Sequence, residues 1–286
     1  MPRMSAPAPA LILPDGRSLA LGERPLLMGV VNVTPDSFSD GGLFAETDAA
    51  VAQGLALAVA GADIVDVGGE SSRPGHVGIS VEEEIARVLP VIAGLRAASV
   101  VPISIDTCKS AVAEAALGAG ASIVNDVWGC RRDPAIAEVA ARFGAPLIVM
   151  HNRDSVDPRI DIFAEVLAVL ADSIAIALSA GVPRGQLVVD PGIGFGKTPA
   201  QNLALIGGLD RLGALGCPVL LGASRKSTIG LVTGQSVAAD RLAGSISAHL
   251  FGVARGAAII RAHDIRPHAD AFAVWAAIAD SARAER

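Results

Sequence analysis

The residues most able to do chemistry are polar side chains that come at or just after short apolar runs. They are Asn32, Glu70, Asp106, Asn125-Asp126, His151, Asp190, Ser224-Arg225-Lys226, Arg261 and His263. In a barrel of parallel strands, all of these strand ends open onto one rim, where such enzymes place their active sites. Carboxylates and carboxamides could hydrogen-bond to a polar ligand, and basic side chains could hold an anion. The pattern therefore predicts a rim site that combines both kinds of group.

Three glycine-rich segments lie among these residues. Thr34–Gly42 and Gly68–Gly75 are longer than a minimal strand–helix turn. They are either ordinary surface loops or a pair of lids that close over a reactive intermediate. Asp190–Thr198 fits neither the phosphate-binding P-loop nor the dinucleotide fingerprint, because required glycines are absent. We interpret its glycines as allowing the backbone to approach a flat ligand closely.

The elements that must position these groups follow a regular alternation. Eight short apolar runs alternate with segments of helical periodicity, such as the one that begins at the capping box Ser80-x-x-Glu83. The runs are Leu26–Val33, Ile64–Val67, Pro102–Ile105, Ile123–Val127, Pro146–Met150, Leu187–Val189, Pro218–Leu221 and Ala257–Ile260. This order predicts a closed (β/α)8 barrel. A doubly wound open sheet stays the alternative, because strand order cannot be read from sequence.

Composition limits the class of protein. The chain has 286 residues, of which 51% are hydrophobic, and Pro14-Asp15-Gly16 joins two apolar triplets in a predicted N-terminal hairpin. We expect a flexible stretch at 1–10 and a single domain over 11–286. The net charge of −6 argues against nucleic acid as a partner. The three cysteines form no zinc pattern and fit a reducing compartment. Without a recognisable signal peptide or an apolar run of about 18 residues, we expect a cytoplasmic protein without a membrane span.

Several longer motifs resemble those of the dihydropteroate synthases, a family of pterin-binding barrel enzymes. The matching segments are Gly29–Gly42, Asp66–Gly75, Ser104–Lys109, Val124–Asp126, Met150-His151, Asp190–Lys197, Gly222–Lys226 with Gly230, and Arg261–Asp264. They occur in the family's order between about Leu26 and Ile265. Ser72 stands where the family usually has threonine, which keeps the hydroxyl and removes a methyl group.

The resemblance implies an enzyme of folate synthesis that joins a pterin diphosphate ester to 4-aminobenzoate, with Mg²⁺ as cofactor, and that forms a homodimer. It also implies roles for particular residues. The pterin contacts would be Asp106, Asn125, Val127, Met150, Asp190, Gly222 and Lys226. The diphosphate contacts would be Asn32, Ser72, Arg73, Arg261 and His263, with Asn32 also a magnesium ligand. The aminobenzoate contacts would be Phe38, Pro74, Phe195 and Ser227.

In this interpretation Asp106, Lys226, Arg261 and His263 carry the catalysis, and the departure of diphosphate precedes attack by the amine. Val127 and Met150 could instead be ordinary core residues, and Asp126 could cap the following turn. His76, His249 and His268 are interpreted as surface or packing residues, and the role of His151 stays open.

Three other functions compete with this one. A methyltetrahydrofolate-type methyl transferase would share the pterin contacts but would need no residues that contact a diphosphate. A non-catalytic paralogue would be expected to have lost residues of the predicted diphosphate contacts or of the two possible lids. A phosphosugar lyase or isomerase would need a Schiff-base lysine or an acid–base pair, which the strand ends do not clearly provide.

Overall fold

The computed structural model describes residues 10–22, 24–33, 42–71 and 78–284. The predicted hairpin is present and is formed by strands β1 (Ala10–Ile12) and β2 (Ser18–Ala20), which pair antiparallel. Leu11 and Leu13 from this hairpin, with Leu21 just beyond it, pack against apolar side chains such as Met28 and Ile259 of the barrel strands. The hairpin thereby shields one end of the barrel interior from water.

The predicted barrel is confirmed. Strands β3 to β10 are parallel and adjacent in sequence order, and β10 pairs with β3 to close the ring, which excludes the open sheet. Their bounds are Leu26–Asn32, Ile64–Gly68, Ile103–Asp106, Ile123–Asp126, Leu147–Met150, Leu187–Asp190, Val219–Leu221 and Ala257–Ala262. Almost every residue of these strands is buried, as expected when helices cover the outer face and side chains fill the interior.

Helices follow the strands and form the outer layer. Helices α1 to α9 span Gly42–Val59, Val81–Ala98, Ser110–Gly118, Ala135–Phe143, Ile162–Ser179, Pro199–Gly207, Ser227–Thr233, Leu242–Ala254 and Ile265–Ala284. The main hydrophobic core lies between this layer and the strands, where residues such as Val88, Ile92 and Leu95 of α2 are fully buried. These side chains recur every three or four residues, which is why this segment forms a helix with one buried face.

Local signals set the helix ends. Ser80 Oγ accepts a hydrogen bond from the backbone N–H of Glu83 at 3.1 Å, as its sequence pattern predicts. Gly144 ends α4 in the left-handed conformation with φ of 66°. A reciprocal capping box between Thr198 and Gln201, which was not predicted from the sequence, starts α6. Ser80 and Thr198 mark where a helix begins after a strand, and Gly144 marks where a helix ends before the next strand.

Helix α5 is long and apolar enough, by length and composition alone, to cross a membrane. It nevertheless carries Glu165 and Asp172. Its residues Val166, Leu170 and Ile174 are buried in the main hydrophobic core. These features are those of a core helix in a globular protein.

Candidate active site

Three of the predicted polar residues lie at or next to the carboxyl-terminal ends of barrel strands. Asp106 ends β5, Asn125 is the penultimate residue of β6, and Asp190 ends β8. Asp106 lies in register with Asn125 on one side and with Gly68 on the other, and Asp190 is in register with Met150. All of these polar side chains are buried. The barrel therefore presents a row of buried hydrogen-bonding groups at its carboxyl-terminal end.

Gly68 makes room for this row. A Cβ at this position would come within 3.3 Å of the Cβ of Asp106. This is closer than side-chain carbons normally pack, so with a larger residue here Asp106 would have to shift by a few tenths of an ångström. The glycine of the second family-like motif thus has a local role in placing the carboxylate.

Arg261 connects two carboxylates inside the barrel. Its Nε lies 2.7 Å from Asp66 Oδ2 and its Nη2 lies 2.7 Å from Asp106 Oδ2. Asn125 Nδ2 donates to the same Asp66 oxygen at 3.1 Å. Asp66, for which no role was predicted from the sequence, is fully buried in the middle of β4. It therefore anchors both the arginine and the carboxamide of the predicted site.

Burial and neighbouring charges determine the protonation of this group. Burial raises the pKa of Asp106 to about 7, although the positive charge of Arg261 opposes the rise. Burial lowers the pKa of Arg261, but the adjacent Asp66 and Asp106 carboxylates outweigh it, and the pKa lies above its ordinary value. The protonation state of Asp106 is consequently sensitive to any new charge at this end of the barrel, whereas Arg261 stays a cation.

Asp190, at the end of this row, and Lys226 are oppositely charged, and the charge of each acts on the pKa of the other. Asp190 Oδ1 accepts from the backbone N–H of Gly192 at 2.7 Å, while Lys226 Nζ donates to the carbonyl of Ile193 and lies 4.2 Å from the Phe195 ring centroid. Burial raises the pKa of Asp190 and lowers that of Lys226 to about 8. A polar ligand could exchange for the Ile193 carbonyl and bind between the two side chains.

The glycines of the connection after β8 have a structural cause. Gly192, Gly194 and Gly196 all have positive φ. A Cβ on Gly192 would lie 1.9 Å from the carbonyl oxygen of His151. This close approach joins two backbone segments of the protein itself, and the predicted approach to a flat ligand stays a prediction.

His263 and Ser224 join the connections after β9 and β10. Ser224 Oγ accepts from the His263 backbone N–H at 3.2 Å and lies 3.0 Å from its Nδ1. Burial and the positive charge of Arg261 lower the pKa of His263 to about 4, so the unliganded imidazole is neutral at pH 7. A neutral ring can donate a hydrogen bond to an anion, and a bound dianion would raise its pKa.

The remaining predicted residues have varied surroundings. Val127 and Met150 are buried near the ends of β6 and β7, Phe195 is half-buried, and Asn32 and Ser227 are exposed. Gly222 follows β9, and a Cβ there would be 3.7 Å from Arg261 Cβ. The other predicted contacts and both proposed lids involve residues outside the described part of the chain. These contacts are Phe38, Ser72, Arg73 and Pro74.

Four other polar side chains are buried in the described part of the chain. Asp126 accepts backbone hydrogen bonds from Trp128 and Cys130 and so caps the turn that follows β6. His151 is fully buried, and burial lowers its pKa to about 3. His249 and His268 are also fully buried, which excludes the interpretation as surface residues.

Within the described residues, no three His, Cys, Asp or Glu side chains are grouped as metal ligands. Asn32, at the end of β3, would supply a single carboxamide oxygen. This donor set fits a Mg²⁺ ion that takes most of its oxygen ligands from a phosphate substrate and water.

Comparison with known proteins agrees with this geometry. Residues 28–263 match the family model described as pterin binding enzyme. A dihydropteroate synthase of Clostridium beijerinckii is 46% identical over 246 residues, which cover 86% of this chain and 91% of the relative.

Two solved structures of the Xanthomonas albilineans dihydropteroate synthase also match. The one with 4-aminobenzoic acid has a TM-score of 0.90 at 46% identity and covers 95% of this chain and 98% of the other. The one with 7,8-dihydropteroate has a TM-score of 0.86 at 45% identity and covers 94% and 98%.

The closed barrel and the family match define a pterin-binding barrel enzyme. More specifically, the chain belongs to the dihydropteroate synthase family, whose members are transferases.

Proposed function

We propose that this chain condenses 6-hydroxymethyl-7,8-dihydropterin diphosphate with 4-aminobenzoate to give 7,8-dihydropteroate and diphosphate. The observation that carries the proposal is the buried row Asp106, Asn125 and Asp190, which faces Lys226 and Arg261 at one end of the barrel. Acidic and amide groups suit a pterin, and cations suit a diphosphate. Neither a methyl transferase nor a phosphosugar enzyme would need both sets of groups.

The pterin would bind across this row. Its exocyclic amine and adjacent ring N–H can donate side by side to the two oxygens of Asp190. Asn125 offers both a donor and an acceptor, and Lys226 can donate to the ring carbonyl. Val127 and Met150 would contact the faces of the ring, and Gly222 would leave space beside Arg261. Burial strengthens these hydrogen bonds, because water competes less for them.

The leaving group would be held by Arg261 and His263, together with Ser72, Arg73 and Asn32. Negative charge accumulates on diphosphate as the carbon–oxygen bond breaks, so cations there stabilise the transition state more than the ground state. Bound Mg²⁺, with Asn32 among its ligands, would neutralise part of this charge. Asp106 would stabilise the positive charge that develops on the pterin methylene carbon. This electrostatic arrangement favours a dissociative substitution.

The second substrate would bind nearer the rim. The aromatic amine is neutral at pH 7 and needs no strong base, which fits a site without a nucleophile–base pair among the described rim residues. Phe38, Pro74 and Phe195 would contact the aminobenzoate ring, and the exposed Ser227 hydroxyl would bind its carboxylate. Lys226, next to Ser227, would contribute positive charge to this part of the site.

A homodimer and a cytoplasmic location complete the proposal. Six of the eleven large apolar side chains exposed in the described chain belong to the segment from α7 to α9. They are Leu231, Val232, Val237, Phe251, Val274 and Ile278. Such a concentration of exposed apolar side chains supports an interface between two copies.

The direct test mixes purified protein with the pterin diphosphate ester, 4-aminobenzoate and Mg²⁺, and follows diphosphate release and dihydropteroate formation. We expect both products in equal amounts and only slow release without the amine. Rapid release that does not depend on the amine would instead identify a hydrolase. Methyl transfer from methyltetrahydrofolate to a corrinoid would favour the methyl transferase alternative.

A further inference from the structure

Two buried histidines lie behind the rim, outside the proposed substrate contacts. His249 is on α8 and His268 is on α9, and neither side chain is accessible to solvent. Their ring centroids are 4.9 Å apart, and His249 Nδ1 lies 2.8 Å from His268 Nε2. The rings therefore form a direct hydrogen bond between two helices.

Both ends of this pair bind the backbone of connections that carry proposed site residues. The backbone N–H of Ala223 donates to His249 Nε2 at 3.0 Å. At the other end, His268 Nδ1 lies 2.6 Å from the carbonyl oxygen of Asp264. Ala223 comes three residues before Lys226, and Asp264 comes directly after His263.

The donors and acceptors fix the proton on each ring. Ala223 can only donate, so His249 Nε2 must accept and its proton must be on Nδ1. His268 Nε2 then accepts from His249, and His268 Nδ1 donates to the Asp264 carbonyl. All four ring nitrogens are satisfied only when both rings are neutral. Burial lowers the pKa of both histidines, which agrees with this assignment.

The same two connections are also joined by side chains at the rim of the barrel. Ser224 Oγ bonds His263, and the Arg225 guanidinium forms an ion pair with the Asp264 carboxylate. The rim contacts and the histidine pair thus both link the two connections.

We propose that His249 and His268 form a hydrogen-bonded relay of positioning residues that sets the connection carrying Lys226 against the connection carrying His263. The inference rests on the proposed synthase function. Neither histidine touches substrate. The relay acts by fixing the Ala223 and Asp264 backbones, so its loss would shift the basic groups away from the diphosphate and the ring carbonyl.

The first test compares His249→Leu and His268→Leu with Phe272→Leu. Phe272 packs edge-to-face on His268, with ring centroids 6.0 Å apart, so its substitution loosens the same region without breaking the relay. We expect kcat/KM to fall about tenfold or more in the histidine variants, since a misplacement of about 1 Å can cost on the order of 10²-fold. Phe272→Leu should stay within about twofold of the parent. Equal losses in all three variants would overturn the proposal, as would full activity in both histidine variants.

A second comparison holds even if the leucine variants do not fold. Glutamine at position 249 can place an oxygen close to the histidine Nε2 and accept from Ala223, whereas asparagine is too short. We expect His249→Gln to be several-fold more active than His249→Asn, and equal activity would refute a positioning role.

Hydrogen exchange without substrate separates this inference from the proposed function. The Ala223 amide should exchange faster in His249→Asn than in His249→Gln. If the parent protein made no dihydropteroate, the synthase proposal would fail, while this exchange would still test the relay. Unchanged exchange at Ala223 would overturn the relay itself.

Discussion

Asp106 combines a buried carboxylate with a pKa near neutrality and a direct ion pair to Arg261. A developing cation on the substrate would favour its charged form, whereas a neutral pterin gives no such preference. A negative charge at this position therefore stabilises the transition state more than the ground state. The residue's shape can be preserved while its charge is removed, which makes the role testable.

Asp106→Asn should lower kcat far more than it weakens pterin binding. We expect a loss of about 10²-fold in kcat, the usual scale for removing one electrostatic stabiliser. The dissociation constant of bare hydroxymethyl pterin should change by less than about tenfold, because asparagine keeps one acceptor. Single-turnover rates and calorimetric titration would provide the two numbers. Equal losses in both would contradict the electrostatic role.

Arg261 has two roles that a double substitution can separate. Arg261→Ala should reduce affinity for the diphosphate ester much more than for bare hydroxymethyl pterin, because only the ester carries the anion. It should also lower thermal stability, since it leaves Asp66 buried and without its cation, a change that typically costs about 3–5 kcal/mol.

Asp66→Asn in the Arg261→Ala background should recover part of the melting temperature, because the buried charge is gone. Ester affinity should stay low. Recovery of both properties would show that Arg261 acts only as a structural partner of Asp66. The sequence already places Asp66 on the face of its strand opposite to Val65 and Val67, and the structure identifies that face as the barrel interior.

At the scale of elements, the sequence predicts the strands well but does not predict the side-chain contacts between elements. Each of the eight strands lies within one or two residues of its predicted bounds, because runs of buried apolar residues between polar connections are a strong signal. The relay between α8 and α9 could not be predicted, since it joins side chains whose proximity depends on helix packing. The Arg261 ion pairs likewise depend on the closure of β10 against β3.

Lys109 shows how one side chain can stabilise a connection. Its Nζ lies 2.6 Å from Glu70 Oε2, 2.6 Å from Glu84 Oε2 and 2.8 Å from the Ile79 carbonyl oxygen. Glu84 is buried, while Glu70 and Ile79 lie on either side of the segment 72–77. The lysine therefore joins both ends of this connection to helix α2.

Lys109→Met should lower the melting temperature markedly, because it leaves the Glu84 carboxylate buried without a cation. Lys109→Met with Glu84→Gln should restore much of the loss, since the glutamine is neutral. Thermal unfolding of the two variants and the parent would measure this. If the double variant were no more stable than the single one, the Lys109–Glu84 pair would not be the source of the effect.

At the scale of the whole molecule, the barrel explains why residues far apart in the chain share one site. Asp66, Asp106 and Arg261 meet because β4, β5 and β10 are neighbours or near neighbours of β3 in a closed ring. The alternation of strands and helices predicts this ring, and the family-like motifs predict most of its polar residues. Their hydrogen-bond partners required the three-dimensional arrangement.

The outer surface of the ring offers the last test, that of the proposed dimer. Phe251 on α8 and Ile278 on α9 are large apolar side chains with 48% and 65% of their surfaces exposed. Phe251→Asp with Ile278→Asp should convert a dimer into a monomer, because charges in an apolar interface lose their hydration. Val59→Asp is the matched control, since Val59 is 88% exposed on α1, outside the segment from α7 to α9. Sedimentation velocity would distinguish the species. A parent that sediments as a monomer at all concentrations, or a control that dissociates equally, would show that this face is not the interface.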